Sequence, residues 1–297
     1  MPSQIVEKTP TQPREVENGE SLRKWRNALK QQGYVIIRDF FSLASEILLM
    51  EHAEDLTRSA QRLLRLALQA GLNSRYLPRD LPGLIVVPEK DHPEQLCRIE
   101  DISGQHPNIG RLLDGTLTEF LSSLLREPYV IFKDKINFKF PGGGAFTPHQ
   151  DFPAYDAFGP RSHLTAMISL DTACLDNGCV QFAKNYRSDL EEFIPLASNE
   201  DSAVILPHDC NGDLAPEIVR RITWEPALTQ PCDLVLFDSF VPHYSEINNS
   251  GCSRRALFVT YNRLCDGEWK KAYFSRKRKD PMNPKFHFGT PTPGRRK

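Results

Sequence analysis

Two histidines and one carboxylate on a shared face can hold a divalent transition metal and leave coordination positions open for other ligands. The local form of such a set, His-x-Asp or His-x-Glu, occurs three times in the 297-residue chain: His52/Glu54, His92/Glu94 and His149/Asp151. With 8 histidines and 38 acidic residues, chance alone supplies about one such pair, so the spacing by itself decides nothing. The surrounding sequence separates the three. His52 and Glu54 lie in an amphipathic stretch that predicts a helix over about 44–70, where residues two apart point to different faces. His92-Pro-Glu94 lies in a charged, proline-bearing stretch that reads as exposed loop. His149-Gln-Asp151 follows Pro141-Gly-Gly-Gly144 in extended sequence, where residues two apart share a face. A third candidate ligand in a matching context, His243, follows the apolar run Leu234-Val-Leu-Phe237 by a short turn.

The elements that must position these residues fall into two halves. Ser21–Gln32 predicts a short helix closed by Gly33, and Tyr34–Arg38 predicts a β-branched strand. Ser42 is the expected N-cap of the long helix, with Leu48, Leu49, Ala53, Leu56 and Leu63 near helical spacing. Pro78, Pro82, Pro88 and Pro93 break the next stretch into loops, and Gly110–Leu125 is again helical. From Tyr129 onward short strands dominate: Tyr129–Phe140, Leu164–Leu170, Cys179–Phe182, Leu234–Phe237 and Arg254–Asn262, separated by turn sequences such as Asp176-Asn-Gly178. Helices first and strands later predict helices packed on a β-sandwich or barrel. Residues 1–20 read as a disordered tail, 21–280 as one catalytic domain and 281–297 as a C-terminal tail, and the basic runs Arg276–Lys279 and Arg295–Lys297 read as solvated.

In order along the chain, His149-Gln-Asp151, Asn177-Gly-Cys179 and His243-Tyr-Ser245, with Asn248, Ser250 and Arg254 following, resemble the phytanoyl-CoA dioxygenase family. The resemblance runs from about Gly33 to Thr260. It implies a mainly β fold with flanking helices around a double-stranded β-helix (jelly-roll, cupin-like) core. It also implies Fe(II) held by His149, Asp151 and His243, with 2-oxoglutarate as cosubstrate, O₂ as oxidant and ascorbate as a supporting reductant. The implied activity is a 2-oxoglutarate-dependent hydroxylase, releasing succinate and CO₂ as it oxidises an unactivated C–H bond of a small or medium molecule. Related halogenases replace the carboxylate ligand by a small residue, and this chain keeps Asp151.

A 2-oxoglutarate molecule needs a positive, preferably bidentate partner for its distal carboxylate. Arg254 and Arg255 begin an alternating strand, so one faces inward, and periodicity does not choose between them. The family pattern places the arginine at Arg254, with Ser245 beside the carboxylate. Upstream, one face of the 129–140 strand carries Lys133, Lys135, Asn137 and Lys139, and the other Phe132, Ile136, Phe138 and Phe140, interrupted by Asp134. The polar face suits either solvent or an anion-binding cavity. Similarity to the ectoine-hydroxylase branch places Asn137 and Lys133 at the cosubstrate and Lys135 at the substrate, with Thr165 and Met167 near the cosubstrate on the next strand. The loop Phe152–Arg161, with Phe152, Tyr155, Phe158 and Arg161, is the expected substrate lid. Two features depart from the family: Ala183-Lys-Asn-Tyr186 stands where a Pro-Gly-Ser-His turn is usual, and Met167 stands where the human member has tryptophan. Lys135–Gly143 and Tyr273–Lys277 are similar to aminophosphonate-oxidising members, and natural-product hydroxylases share much of both, so the expected substrate is a natural-product intermediate, an aminophosphonate-like molecule or another anionic metabolite.

Bulk properties limit the alternatives. The formal charge of −1 offers no general attraction to nucleic acid. Met1–Glu20 lacks an apolar signal core, and no run of about 18 apolar residues exists, so the expectation is a cytoplasmic protein with no membrane span, acting on a small molecule and free to form a homodimer. The seven cysteines include no CxxC pair and read as reduced thiols, most of them packing as small apolar groups. A zinc hydrolase or a non-catalytic cupin-like binding module are the competing uses of the same three ligands. The first lacks an evident general base, and neither has use for a buried Arg254.

Overall fold

The computed structural model describes residues 19–71, 83–90, 92–190, 204–281 and 283–287. The expected disorder of residues 1–20 and the loops at Pro78 and Pro82 fall mostly or wholly outside them. Helix α1 (Gly19–Gln32) leads through Gly33 into strand β1 (Tyr34–Ile37). Gly33 has φ +77°, and a Cβ there would lie 3.0 Å from both Tyr186 Cε1 and Val241 Cβ, so neither backbone nor space admits a larger residue. Helix α2 (Leu43–Gln69) has no glycine or proline inside it. The Ser42 hydroxyl accepts from the Ser45 N–H, and the buried positions Leu49, Ala53, Leu56, Ala60, Leu64 and Ala67 recur at helical spacing. After β2 (Ile85–Pro88) and β3 (Leu96–Glu100) come α3 (Pro107–Arg111), a π turn (Leu112–Leu117) and α4 (Thr118–Leu125).

The strands that follow are β4 (Tyr129–Lys139), β5 (Phe146–His149), β6 (Leu164–Ser169), β7 (Val180–Lys184), β8 (Thr223–Pro226), β9 (Leu234–Asp238), β10 (His243–Ser245) and β11 (Arg254–Arg263). Short helices α5 (Tyr186–Asp189) and α6 (Pro216–Val219) interrupt them, and α7 (Lys270–Lys279) follows them. Seven strands form one antiparallel sheet in the order β1-β9-β6-β11-β4-β3-β2, and four form the second in the order β5-β10-β7-β8. The face-to-face pair is a double-stranded β-helix. One apolar cluster joins α1, α2 and α4 to the outer face of the large sheet, and a second, with Phe182, Phe237 and Val241, lies between the sheets. The helix-covered face takes Ile136 and Phe138, which leaves the alternate residues of β4 facing inward between the sheets.

Register sets the inner face in rows. Arg98 pairs with Asn137, Glu100 with Lys135, Lys133 with Thr260, and Lys139 with Arg254. The run of charges along β4 thus meets a second set of polar residues on the strands beside it, all at cross-strand contact.

Several expectations change. The proline-bearing stretch after α2 contains β2 and β3 as well as loop. β2 is the edge of its sheet, where a proline such as Pro88 costs no ladder hydrogen bond to a further strand. Phe132 does not join Ile136 on the helix-covered face. The β4–β11 pairing slips between Thr260 and Tyr261, so Phe132 is an extra residue that turns toward Tyr155 and Tyr273. The basic run Arg276–Lys279 is part of α7, and its Lys277 is buried at 2 % exposure. Phe286, in the expected C-terminal tail, is buried against Tyr273. The seven cysteines are free, but only Cys179 and Cys232 are buried, while Cys210, Cys252 and Cys265 are exposed.

Candidate active site

His149 is the last residue of β5 and His243 the first of β10, and the two are register partners. Their rings lie 4.3 Å apart. Asp151 comes two residues beyond His149, with its Oδ1 3.9 Å from His149 Nε2. One ligand atom from each of the three falls within 4.8 Å of the others. The orientation of each imidazole is set by backbone. His149 Nδ1 lies 2.6 Å from the Thr147 carbonyl and His243 Nδ1 3.1 Å from the Val241 carbonyl. A carbonyl only accepts, so each Nδ1 carries the proton and each Nε2 keeps its lone pair. Burial drives the imidazoles toward the neutral, ligating form: it lowers His149 to about 3, helped by His243, and it lowers His243. Burial alone would raise Asp151, but its interactions with His243 and Lys133 outweigh that and hold it ionised with a pKa of about 2. The donor set is therefore two neutral nitrogens and one carboxylate, which suits Fe(II) with open positions.

The other two His-x-acid pairs hold no such group. His52 Nε2 is hydrogen-bonded with Asn108 on a helix surface, and His92 and Glu94 are more than half exposed.

The cavity that contains the three residues is lined on the large-sheet side by Lys133, Lys135, Asn137, Thr165, Arg254 and Thr260. Arg254 is 6 % exposed, its Nε has no partner, and it makes no hydrogen bond or ion pair among the described residues. Burial lowers its pKa to about 10, so it stays charged. The Asn137 Oδ1 is likewise buried without a partner. Buried polar groups are almost always paired, so these orphans mark a place built for a ligand. Arg255 points the other way. Its guanidinium makes a two-pronged pair with Asp171 at 2.9 Å and reaches Glu54 on α2 at 2.7 Å, which raises its pKa. Beside Arg254, Ser245 lines the same cavity. Lys139 Nζ donates to its Oγ at 2.7 Å, so the Ser245 hydroxyl proton is free for a further acceptor. Lys139 is thus neither solvated nor a cavity wall: it is 3 % exposed, and burial, with Arg254 nearby, lowers it to about 7. Gly178 of the Asn177-Gly-Cys179 motif has φ +69°, and a Cβ there would lie 2.3 Å from the Glu246 carbonyl and 3.1 Å from Lys139 Nζ, so the motif keeps this end of the site compact.

Of the remaining residues singled out from the sequence, Tyr155 lines the cavity and Thr165 does so with its Oγ1 3.0 Å from Thr260 Oγ1. Met167 does not. It shares a face with Thr165 but lies beside Phe258 and Val235, where the apolar cluster between the sheets closes over it. Phe152, Phe158 and Arg161 also stay out of the lining. The segment folds into a 3₁₀ turn (Phe152–Ala154) that sets Phe152 against Phe240 and Phe158 against Phe132 and Tyr273, and Arg161 is exposed.

Arg98 and Glu100 of β3, which the sequence did not single out, line the cavity, as do Tyr273 and Lys277 of α7, whose segment drew notice only by resemblance and with no role assigned. Arg98 and Glu100 are two apart, as inward strand residues must be, but the prolines around β3 hid the strand. Tyr273 and Lys277 are four apart on α7, so the lysine follows its aromatic neighbour onto the buried face.

A double-stranded β-helix with two histidines and an aspartate gathered at one mouth defines a protein built for a mononuclear metal. The chain belongs to the phytanoyl-CoA dioxygenase family, whose model matches residues 29–256. It is 42 % identical over 184 residues to a 2-aminoethylphosphonate dioxygenase from the uncultured bacterium HF130_AEPn_1, and 35 % identical over 184 residues to a methylphosphonate hydroxylase from Gimesia maris. In each case the match covers 62 % of this chain and 65 % of the relative's own length. Among solved structures, EctD from S. alaskensis with 2-oxoglutarate and 5-hydroxyectoine has a TM-score of 0.60 at 20 % identity, covering 89 % of this chain and 87 % of that one. The same fold recurs in the non-heme alpha ketoglutarate dependent epimerase SnoN, with a TM-score of 0.56 at 15 % identity over 83 % of this chain and 85 % of that one. Among the described residues no helix is long and apolar enough to cross a membrane.

Proposed function

We propose that the protein is an Fe(II)- and 2-oxoglutarate-dependent dioxygenase that hydroxylates a C–H bond of a small organophosphonate. The observation that carries this is the pairing, in one cavity, of a His149–Asp151–His243 ligand set with a buried, partnerless Arg254. The three ligands would hold the metal, and a three-residue set of this kind would leave room for the keto acid and O₂. Arg254 takes the distal carboxylate of 2-oxoglutarate through its guanidinium fork, and Ser245, fixed by Lys139, donates its hydroxyl to the same group. Thr165 and Asn137 complete that end of the cavity. When bound, the iron and cosubstrate supply the oxidising chemistry, coupled to decarboxylation to succinate. The protein's share is to orient the substrate and keep water out.

The substrate class rests on charge. Lys135 faces the cavity with no hydrogen bond or ion pair among the described residues, and only the Phe258 ring, 5.2 Å away, lies beneath it. Burial lowers its pKa, a cost that an anionic ligand would offset. Both phosphonate-named relatives favour a phosphonate as that anion. Phosphorus NMR of wild-type protein with Fe(II), 2-oxoglutarate, ascorbate and either 2-aminoethylphosphonate or methylphosphonate tests the reading. It expects a new hydroxylated phosphonate signal with stoichiometric succinate. Loss of phosphate or amine without 2-oxoglutarate consumption would instead support the zinc-hydrolase alternative.

A further inference from the structure

The wall of the cavity formed by β3 and α7 holds three charged side chains, each at least 95 % buried: Arg98, Glu100 and Lys277. Glu100 Oε1 accepts from Arg98 Nε at 2.6 Å, and Lys277 Nζ sits 2.7–2.8 Å from both carboxylate oxygens. One carboxylate thus serves two cations. Lys135 is the cross-strand partner of Glu100, and Lys133, one position further along the same face of β4, lies over the Tyr155 ring at 4.4 Å. Besides Arg254 and the half-exposed Lys285, which pairs with Asp156, four basic groups, Arg98, Lys133, Lys135 and Lys277, therefore line the cavity against two acids, Glu100 and Asp151, and Asp151 belongs to the metal ligands. Such a buried excess of basic over acidic groups is costly without a counter-ion, and no further described side chain in the lining supplies one.

We infer that Arg98, Lys135 and Lys277 form the headgroup subsite of the substrate, built for a tetrahedral, doubly charged anion, with Glu100 as the positioning residue that holds Arg98 and Lys277 at its rim. This rests on the dioxygenase reading above and adds to it the residues that choose the substrate. A second anion site at this wall leaves Arg254 to the cosubstrate, so the two anions of the reaction meet separate cations. It also assigns a task to the C-terminal segment. α7 brings Lys277, and the 3₁₀ turn Pro284–Phe286 brings Phe286, whose carbonyl accepts from Arg98 Nη2 at 3.2 Å and whose ring lies 5.3 Å from Lys277 Nζ. The segment is thereby part of the binding wall, and Lys277 can exchange one Glu100 oxygen for a substrate oxygen without leaving the carboxylate.

The test uses the full chain loaded anaerobically with Fe(II) and 2-oxoglutarate, and titrates 2-aminoethylphosphonate into wild type, Lys277→Ala, Lys277→Arg and Lys135→Met, with β-alanine as the singly charged carboxylate analogue. Loss of one charge-assisted contact is expected to weaken phosphonate binding about 10–100-fold in Lys277→Ala and Lys135→Met. Lys277→Arg should recover most of it, and preference for the dianion over β-alanine should shrink in both weakened variants. The Kd for 2-oxoglutarate, measured on the same samples, should stay within a few-fold and so reports that each variant is folded. Lys135→Met covers the case in which Lys277→Ala does not fold, since Lys135 has no protein partner to abandon. Wild-type phosphonate affinity in both variants would overturn the subsite, as would failure of the loaded wild-type protein to bind the phosphonate at all. Failure of wild type to bind 2-oxoglutarate with Fe(II) would strike the dioxygenase reading instead.

Discussion

At the scale of single residues, Arg254 and Arg255 show how far an alternating pattern goes. Two adjacent arginines at the start of a strand must face opposite ways, which is legible in the sequence; which of them faces the cavity depends on register against β4 and β6, which is not. The consequences differ. On the proposed reading Arg254→Ala removes the partner of the 2-oxoglutarate carboxylate, a loss of about 3–5 kcal/mol, so the KM for 2-oxoglutarate should rise at least 100-fold. Arg255→Ala breaks the tie to Asp171 and Glu54 and should lower the Tm while leaving that KM near wild type. Steady-state kinetics in varied 2-oxoglutarate with a melting curve for each variant separates the two, and the larger KM effect in Arg255→Ala would reverse their assignment. His149 and Asp151 were legible as a pair because extended sequence puts residues two apart on one face, and His243 joined them through its place after an apolar strand and the ordered family motifs. Met167, Phe152, Phe158 and Arg161 were not, because side chains on a lining strand or loop can be captured by neighbours: Phe258 and Val235 for Met167, Phe240 for Phe152.

At the scale of elements, the even–odd alternation of β4 told which residues share a face but not where the pattern slips. The bulge at Phe132 answers to its pairing with β11, a contact more than a hundred residues away in sequence. β3 and the helical form of α7 escaped notice for a related reason, since each is short and charged: β3 is held by its pairing with β2 and β4, and Glu100 and Lys277 tie it to α7. That mutual support has a pH signature. Burial would raise the Glu100 carboxyl, but Lys277 and Arg98 outweigh it and hold the group at about 2, below its ordinary value of about 4.5. The folded pKa lies below the unfolded one, so the contribution to stability is complete above about pH 4.5 and is lost as the pH falls toward 2. Glu100→Gln should therefore melt lower than wild type at pH 6, with the gap narrowing as the pH is lowered from 4.5 toward 2. A gap that stays constant over that range would mean that Glu100 is not held ionised by its two partners.

At the scale of the whole molecule, one cavity between the sheets gathers two sets of charged and polar groups: Arg254 and Ser245, with Lys139 behind the serine, and Arg98, Glu100, Lys135 and Lys277. His149 and His243 sit at strand ends of β5 and β10 on the smaller sheet, with Asp151 two residues beyond β5. A jelly roll with helices on its larger sheet was readable from the order of helical and strand-like segments and from the ordered motifs. The closing of the cavity by the C-terminal segment was not, because Phe286 and Lys277 look like a basic tail until the charges they meet are known. The reading as a metal-dependent 2-oxoglutarate enzyme stands or falls on whether the triad and Arg254 work as one site. Anaerobic titration calorimetry of 2-oxoglutarate into the protein, with and without Fe(II), measures this directly. One equivalent should bind per chain only when Fe(II) is present, and the binding should vanish in Asp151→Ala. Binding of 2-oxoglutarate that is indifferent to both iron and Asp151 would contradict it.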